Sequence, residues 1–207
     1  VPPDATGADI AASLVAVGLE EEGLHRAGVG GPLVVGRVLS LVKEPQKNGK
    51  TINWCQVDVG DANGTGAPQG IVRGAHNFDE GDLVPVILPG GVLPTSQGPL
   101  EVSARKTYGH VSAGMICSER ELGLGEDHDG IIVLTRRFAE DPETLARCVP
   151  GADAIAILGL DRETVEVNVT PDRGYCFSVR GIAREYSHAT GAEFTDPALA
   201  LAEAAPP

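Results

Sequence analysis

Residue types that could carry chemistry are few in this 207-residue sequence and poorly spaced for it. Cys55, Cys117, Cys148 and Cys176 are widely scattered, and none pairs at the close spacing of a zinc site or redox dithiol. They read as reduced thiols of a cytosolic protein. The histidines show no HxxxH or HExxH spacing. His128 among Glu126, Asp127 and Asp129 offers oxygen ligands and one imidazole to a metal. Consecutive charges on a glycine-bounded turn need no ion, however, so a solvated acidic turn is expected and no metal site. Ser118 with Glu119 and Glu121 has the types of a nucleophile and base, but a helix cap accounts for Ser118. Gly28-Val29-Gly30-Gly31 lacks both the GxGxxG spacing and the following helix of a phosphate cradle, and reads as linker. No P-loop or Rossmann signature is present, and no catalytic residue is expected. What remains is a set of cations, Lys43, Lys47, Lys50, Arg73, Arg105 and Lys106, interleaved with Trp54, Phe78 and Tyr108. Cations meet phosphates and aromatic rings stack on bases, so these are the types of a nucleic-acid contact surface; a solvated polar face accounts for the cations equally well.

The elements that position them are read from local pattern. Thr6 with Asp9 makes a capping box, and Ile10, Leu14 and Val17 share one helical face ended by Gly18. Leu19 to Leu24 reads as a short acidic strand. Leu33 to Leu39 is rich in β-branched residues, with Gly36 a bend or bulge. A polar loop, Lys43 to Lys50, precedes a strand from Ile52 to Val59. On that strand Ile52, Trp54, Gln56 and Asp58 take one face and Asn53, Cys55, Val57 and Val59 the other. Ile71–Ala75 and Leu83–Leu88 follow as strands, Pro85 implying an edge or a bulge in the second. Ser118 and Glu121 form a second capping box on a short helix ended by Gly123, and Ile131 to Leu134 reads as a buried closing strand. Short strands between turn residues indicate a small Greek-key barrel. Further on, Ala152–Leu158 is a connector and Thr164–Val169 alternates with Val165, Val167 and Val169 inward. Ser178 caps a last helix whose apolar face is Val179, Ile182, Ala183 and Tyr186.

The fold class expected is mainly β with α+β flanks: a five-stranded barrel over residues 33–150, inserted into a small α+β domain. Residues 1–32 and 151–195 make the two halves of that domain, since neither has the apolar surface to stand alone. Ile10, Leu14 and Val17 are expected to share a core with Val165, Val167 and Ile182. The alanine- and proline-rich tail, 196–207, reads as disordered. With 42% apolar and 22% charged residues the composition is that of a globular chain. No apolar run approaches the roughly 20 residues of a membrane span, and no secretory signal is seen, so a cytoplasmic location without membrane or DNA partners is expected. The opening on Val1 rather than Met points to an excised or processed piece.

The string from Gly114 to Leu134, GMICSERELGLGEDHDGIIVL, is specific enough to carry a resemblance. It resembles the tRNA-binding, OB-fold module of the bacterial phenylalanyl-tRNA synthetase beta subunit. Ile71-Val72-Arg73-Gly74-Ala75-His76-Asn77, then Leu83-Val84-Pro85-Val86, look like the family's third and fourth barrel strands. Val169-Thr170-Pro171-Asp172-Arg173 and Ser178-Val179-Arg180-Gly181-Ile182-Ala183-Arg184-Glu185 resemble its TPNR and GIARE signatures. Here Asp172 stands for the common Asn, and Gly174 and Tyr175 for Pro and Asp.

The resemblance implies a non-catalytic N-terminal part of a larger subunit, serving structure and tRNA binding. The family normally opens with a short segment before Val1. The whole enzyme, an alpha2-beta2 assembly, joins phenylalanine to its tRNA with ATP and magnesium. This part holds no cofactor, and its partners are tRNA and the alpha subunit. A free-standing OB-fold RNA-binding or chaperone protein is the alternative. The RNA-binding residues expected are Lys43, Lys47, Lys50, Trp54, Arg73, Arg105 and Lys106. The net charge of −13, and ten Lys/Arg against fifteen Asp/Glu between Leu39 and Cys148, predict weak RNA binding by the chain alone.

Overall fold

The computed structural model describes residues 1–2, 4–126, 130–196 and 199. The metal alternative at His128 and most of the tail therefore lie outside the described residues. In chain order the elements are α1 (Gly7–Ala16), β1 (Glu20–Arg26), β2 (Leu33–Pro45), β3 (Thr51–Asp58), β4 (Gln69–Arg73), β5 (Leu83–Ile87), β6 (Val92–Leu93), β7 (Leu100–Glu101), β8 (Arg105–Thr107), β9 (His110–Ser112), β10 (Met115–Ile116), α2 (Leu134–Arg137), α3 (Pro142–Arg147), α4 (Ala154–Leu158), β11 (Glu163–Asn168) and α5 (Val179–Thr190). They form two compact units, Ala27–Arg162 and Val1–Arg26 with Glu163–Pro207. The sequence suggested junctions near 32 and 150. Residues outside those limits stay with the barrel because they bond to it: the Gly30 N–H donates to the Val92 carbonyl at 3.0 Å and that of Val35 to Ala152 at 2.9 Å.

In the larger unit one antiparallel sheet runs β10-β5-β2-β3-β4. Its long strand β2 serves two neighbours, pairing with β5 over Leu33–Arg37 and with β3 over Arg37–Pro45. The change of partner requires a sharp bend. A bulge between Val38 and Ser40 supplies twist. Gly36 supplies room, since a Cβ there would lie 2.6 Å from Val57 Cγ1 and 2.7 Å from Val86 Cγ2. The far edges then meet: the Ala113 N–H donates to the Gly70 carbonyl at 3.0 Å, and the Val72 N–H to Ser112 Oγ at 3.0 Å. The result is a nearly closed five-stranded barrel of the OB type.

Both faces of β5 and of the first part of β2 are buried. Val34, Val38, Val84 and Val86 point into the barrel with Cys55, Val57, Ile71 and Phe78. Leu33, Val35, Leu83 and Ile87 point outward into a second core shared with Leu134, Cys148, Ala154 and Leu160. Each such side chain stabilises by about 1.5–3 kcal/mol on burial, so these two strands are the frame of the unit.

Ile131–Leu134 is not a strand. It is extended and alternates correctly, Ile131 and Val133 inward and Ile132 and Leu134 outward. Its ladder partner, however, is largely a side chain. The Asn77 amide donates to the Ile131 carbonyl at 2.8 Å and its Oδ1 accepts the Ile131 N–H at 2.9 Å. Gly130 admits this, because a Cβ there would sit 2.5 Å from Asn77 Nδ2. Leu134 then opens α2, and β10 is the strand that closes the barrel. Pro85 sits between two strands rather than at an edge. Its carbonyl accepts the Cys117 N–H at 3.0 Å. A residue's nitrogen and oxygen face the same antiparallel neighbour, so the missing donor falls beside the end of β10 and not in the β2 ladder.

In the smaller unit α1, antiparallel β1 and β11, and α5 enclose a core of Leu14, Leu19, Cys176 and Tyr186, with Ile10, Val167 and Ile182 packed on it. Val17 and Val165 are outside that cluster. The Thr6–Asp9 capping box is present. Arg173 donates to the Val17 carbonyl at the end of α1 and pairs with buried Glu185 at 3.5 Å. Tyr175, one of the departures from the family pattern, donates its hydroxyl to the same carboxylate at 2.9 Å. A Cβ on Gly181 would lie 2.0 Å from the Tyr175 carbonyl, so this turn packs flush on the start of α5. The buried face of α5 is Gly181, Glu185 and Tyr186, while Val179 and Ala183 are exposed, which corrects the expected apolar face. Asp196, expected in the tail, is buried and takes a hydrogen bond from Arg180 Nε at 2.9 Å.

Gly36→Ala should destabilise the barrel by about 1–3 kcal/mol through overpacking. A fall in the urea midpoint at unchanged slope would report it; an unchanged midpoint would mean the bend has slack.

Candidate nucleic-acid interface

Trp54 lies on β3, Arg73 on β4, and Arg105, Lys106 and Tyr108 on the hairpin β8–β9, while Lys43 lies on β2 and Lys47 and Lys50 at the turn that joins it to β3. Strands β2 and β3 stay paired as far as Pro45 and Thr51, so Lys43 lies in β2 opposite Asn53 rather than in a loop. Only the tip turns, closed by the Gln46 N–H on the Lys50 carbonyl at 2.7 Å. Lys43, Lys47 and Lys50 are all exposed. The two-residue turn of β8–β9, Tyr108-Gly109, has φ of 50° and 88°, the mirror-image turn that suits strand twist. It holds Tyr108 exposed.

A cleft of about 600 Å³ lies between these elements, lined by Lys50, Arg73, His76, Thr107 and Tyr108 among others. A second, of about 250 Å³, is lined by Arg73, Glu101, Arg105 and Ser112. Arg73 thus borders both. Lys43, Lys47 and Lys106 line neither, although all three are exposed. His76 and its wall are held by Asn53, a fully buried side chain whose Nδ2 donates to the Ala75 carbonyl at 2.6 Å.

Trp54 stacks on His110 with ring centroids 4.2 Å apart and planes 13° from parallel. His110 in turn bonds both Glu44 oxygens at 3.0 Å. The indole also lies over Gly70, where a Cβ would come within 2.4 Å of Cη2. Trp54 therefore fastens the β8–β9 hairpin to the sheet, and one of its faces is taken by the imidazole. Phe78 is 2% exposed and fills the barrel interior, which removes it from the stacking set. Its neighbour two residues back, His76, and His110 are the site residues that sequence reasoning passed over. The signal for His110 was its place two residues after Tyr108, at a Tyr-Gly turn.

Arg73 is a structural tie as well as a cation. Its guanidinium forks onto Glu121 at 3.0 and 2.8 Å. Glu121 Oε2 also accepts the Ser118 N–H at 2.7 Å and the Ser118 hydroxyl at 2.8 Å, the capping box read from sequence. Burial alone would push the Glu121 carboxyl up, but the Arg73 and Ser118 bonds outweigh it and hold its pKa below the usual range. A lowered folded-state pKa gives stability that is present above the unfolded value, near 4.3, and lost as pH falls through the folded value. Glu121→Gln should therefore cost about 1–3 kcal/mol at pH 7. The gap from wild type should close on acidification below about pH 4. Denaturation midpoints at the two pH values measure this; a gap independent of pH would contradict it.

Among the described residues no three His, Cys, Asp or Glu side chains converge to hold a metal ion. The site offers cationic and aromatic surface in open clefts, with Glu101 lining one of them beside Arg73 and Arg105.

Residues 33–140 match the family described as "Putative tRNA binding domain". The whole chain is similar to phenylalanine–tRNA ligase beta subunits. It is 58% identical to that of Leifsonia xyli subsp. xyli over 99% of this chain and 24% of the relative. The figures are 52% for Bifidobacterium longum, over 100% and 24%, and 54% for Thermobifida fusca, over 96% and 23%. The chain spans about a quarter of the length of these relatives. It therefore belongs to the tRNA binding domain family, in the version that phenylalanine–tRNA ligase beta subunits carry.

Proposed function

We propose that this chain is the non-catalytic, tRNA-handling part of a phenylalanine–tRNA ligase beta subunit. The observation that carries this reading is similarity along the full chain to beta subunits, with the barrel matching a tRNA binding family. In the complete enzyme the alpha subunit, in an alpha2-beta2 assembly in the cytoplasm, joins phenylalanine to tRNA with ATP. Magnesium acts at that catalytic centre; no described cluster of carboxylates here suits it. The reading of a free-standing RNA-binding or chaperone protein is not favoured, because the relatives are ligase subunits.

Within this part, tRNA phosphates meet the exposed tip of β2–β3 through Lys43, Lys47 and Lys50, and a nucleotide enters the cleft between Lys50 and Tyr108. Arg105 and Lys106 extend the cationic edge along β8. Arg73 keeps its Glu121 partner and shapes the cleft, and Trp54 holds the hairpin.

Charge reversal of Lys43, Lys47 and Lys50 together, in the assembled enzyme, should raise the KM for tRNA. Each lysine lost should lower the slope of log affinity against log salt by about 1. Phenylalanine-dependent pyrophosphate exchange, which needs no tRNA, should be unchanged. An unaltered KM and salt slope would remove these lysines from the interface. The chain alone should support no such exchange, and any phenylalanine-dependent exchange by it would overturn the non-catalytic reading.

A further inference from the structure

The smaller unit carries an apolar surface that its own fold does not use. Phe177 is 78% exposed and Val179 88% exposed, on either side of the helix cap Ser178. Ala183, one turn further along α5 and on the same side as Val179, is exposed too. Singly exposed apolar residues need no explanation, but here three fall within seven residues on a backbone tied by hydrogen bonds. The Ser178 hydroxyl donates to the Tyr175 carbonyl at 2.8 Å and accepts the Gly181 N–H at 3.0 Å. Gly181 lets the preceding turn lie flush on the helix. The backbone that carries Phe177 and Val179 is thereby pinned with both side chains outward, so docking would have to order only the side chains.

We propose that Phe177, Val179 and Ala183 form the docking face for a further domain of the full-length beta subunit. Two observations select this occupant. The relatives are about four times as long as this chain, so most of such a subunit lies outside it. The face is also small: a stable contact between separate chains needs about 800 Å² from each partner. A tethered domain needs less, because the linker holds it at an effective concentration on the order of millimolar.

The test places the photo-cross-linker benzoylphenylalanine at position 177, and separately at 179, in the full-length subunit within its assembled enzyme. Leu39, on the barrel, serves as a control position. The result expected is an intrachain product joining 177 or 179 to residues beyond this chain, at roughly tenfold or more the yield from position 39. Two positions guard against one substitution disturbing the fold, since the larger ring is a small change at Phe177. Products joined to a second copy, to the alpha subunit or to residues 1–207 would overturn the proposal, as would no product at either position. None of these outcomes bears on tRNA binding, which the lysine variants test separately.

Discussion

The barrel depends on one strand being able to serve two neighbours. β2 pairs with β5 along its first part and with β3 along the rest, and the sheet closes only if it bends between them. That bend brings Val57 and Val86 over residue 36, where a Cβ would lie 2.6 and 2.7 Å from their methyl groups, so only glycine leaves them room. Once β2 is bent, alternate residues of β2 and β5 face different cores, one inside the barrel and one beneath α2–α4. Several later segments of the larger unit are placed by filling one of these cores. Ile116 and Cys117 divide between them, and so do Ile131 and Ile132.

The candidate interface inherits its character from this scaffold. Closing the barrel puts β9 against β4, and so sets Tyr108, Lys50 and Arg73 around one cleft. The same closure uses up charge and ring surface. Arg73 goes to Glu121, His110 to Glu44, and one face of Trp54 to His110. Among the described residues, the candidate cations outside any described ion pair are Lys43, Lys47 and Lys50 near the β2–β3 turn and Arg105 and Lys106 on β8. In water such groups contribute through phosphate neutralisation, a salt-dependent effect that an acidic chain opposes.

How much of this was legible in the sequence follows the range of the interaction involved. The capping boxes Thr6–Asp9 and Ser118–Glu121 were readable because donor and acceptor lie three residues apart. The two faces of β3 were readable from alternation, and the five-stranded barrel from the spacing of turns. Ile131–Leu134 alternates like a strand, but its partner is a side chain 54 residues away, which periodicity does not register. The pairing of Lys43 with Asn53 extends β2 beyond its β-branched run, so a polar segment read as loop is strand. Arg73 looks free in sequence and is bound by a carboxylate 48 residues later. On α5 the apolar stripe was correctly seen. Ile182 and Tyr186 pack as read, but Val179 and Ala183 stay exposed, since which half of a stripe is covered depends on where the Pro171–Cys176 turn lands.

The proposal that joins fold to function is that this barrel turns toward RNA a surface whose exposed cations work against a net charge of −13. The direct measurement is the dissociation constant of labelled tRNA for the isolated 207-residue chain at two salt concentrations. With few unpaired cations it should be on the order of 10⁻⁴ M or weaker at physiological salt, and weaker still as salt rises. Micromolar or tighter binding that hardly changes with salt would contradict this, because base stacking in the cleft rather than phosphate neutralisation would then supply the affinity.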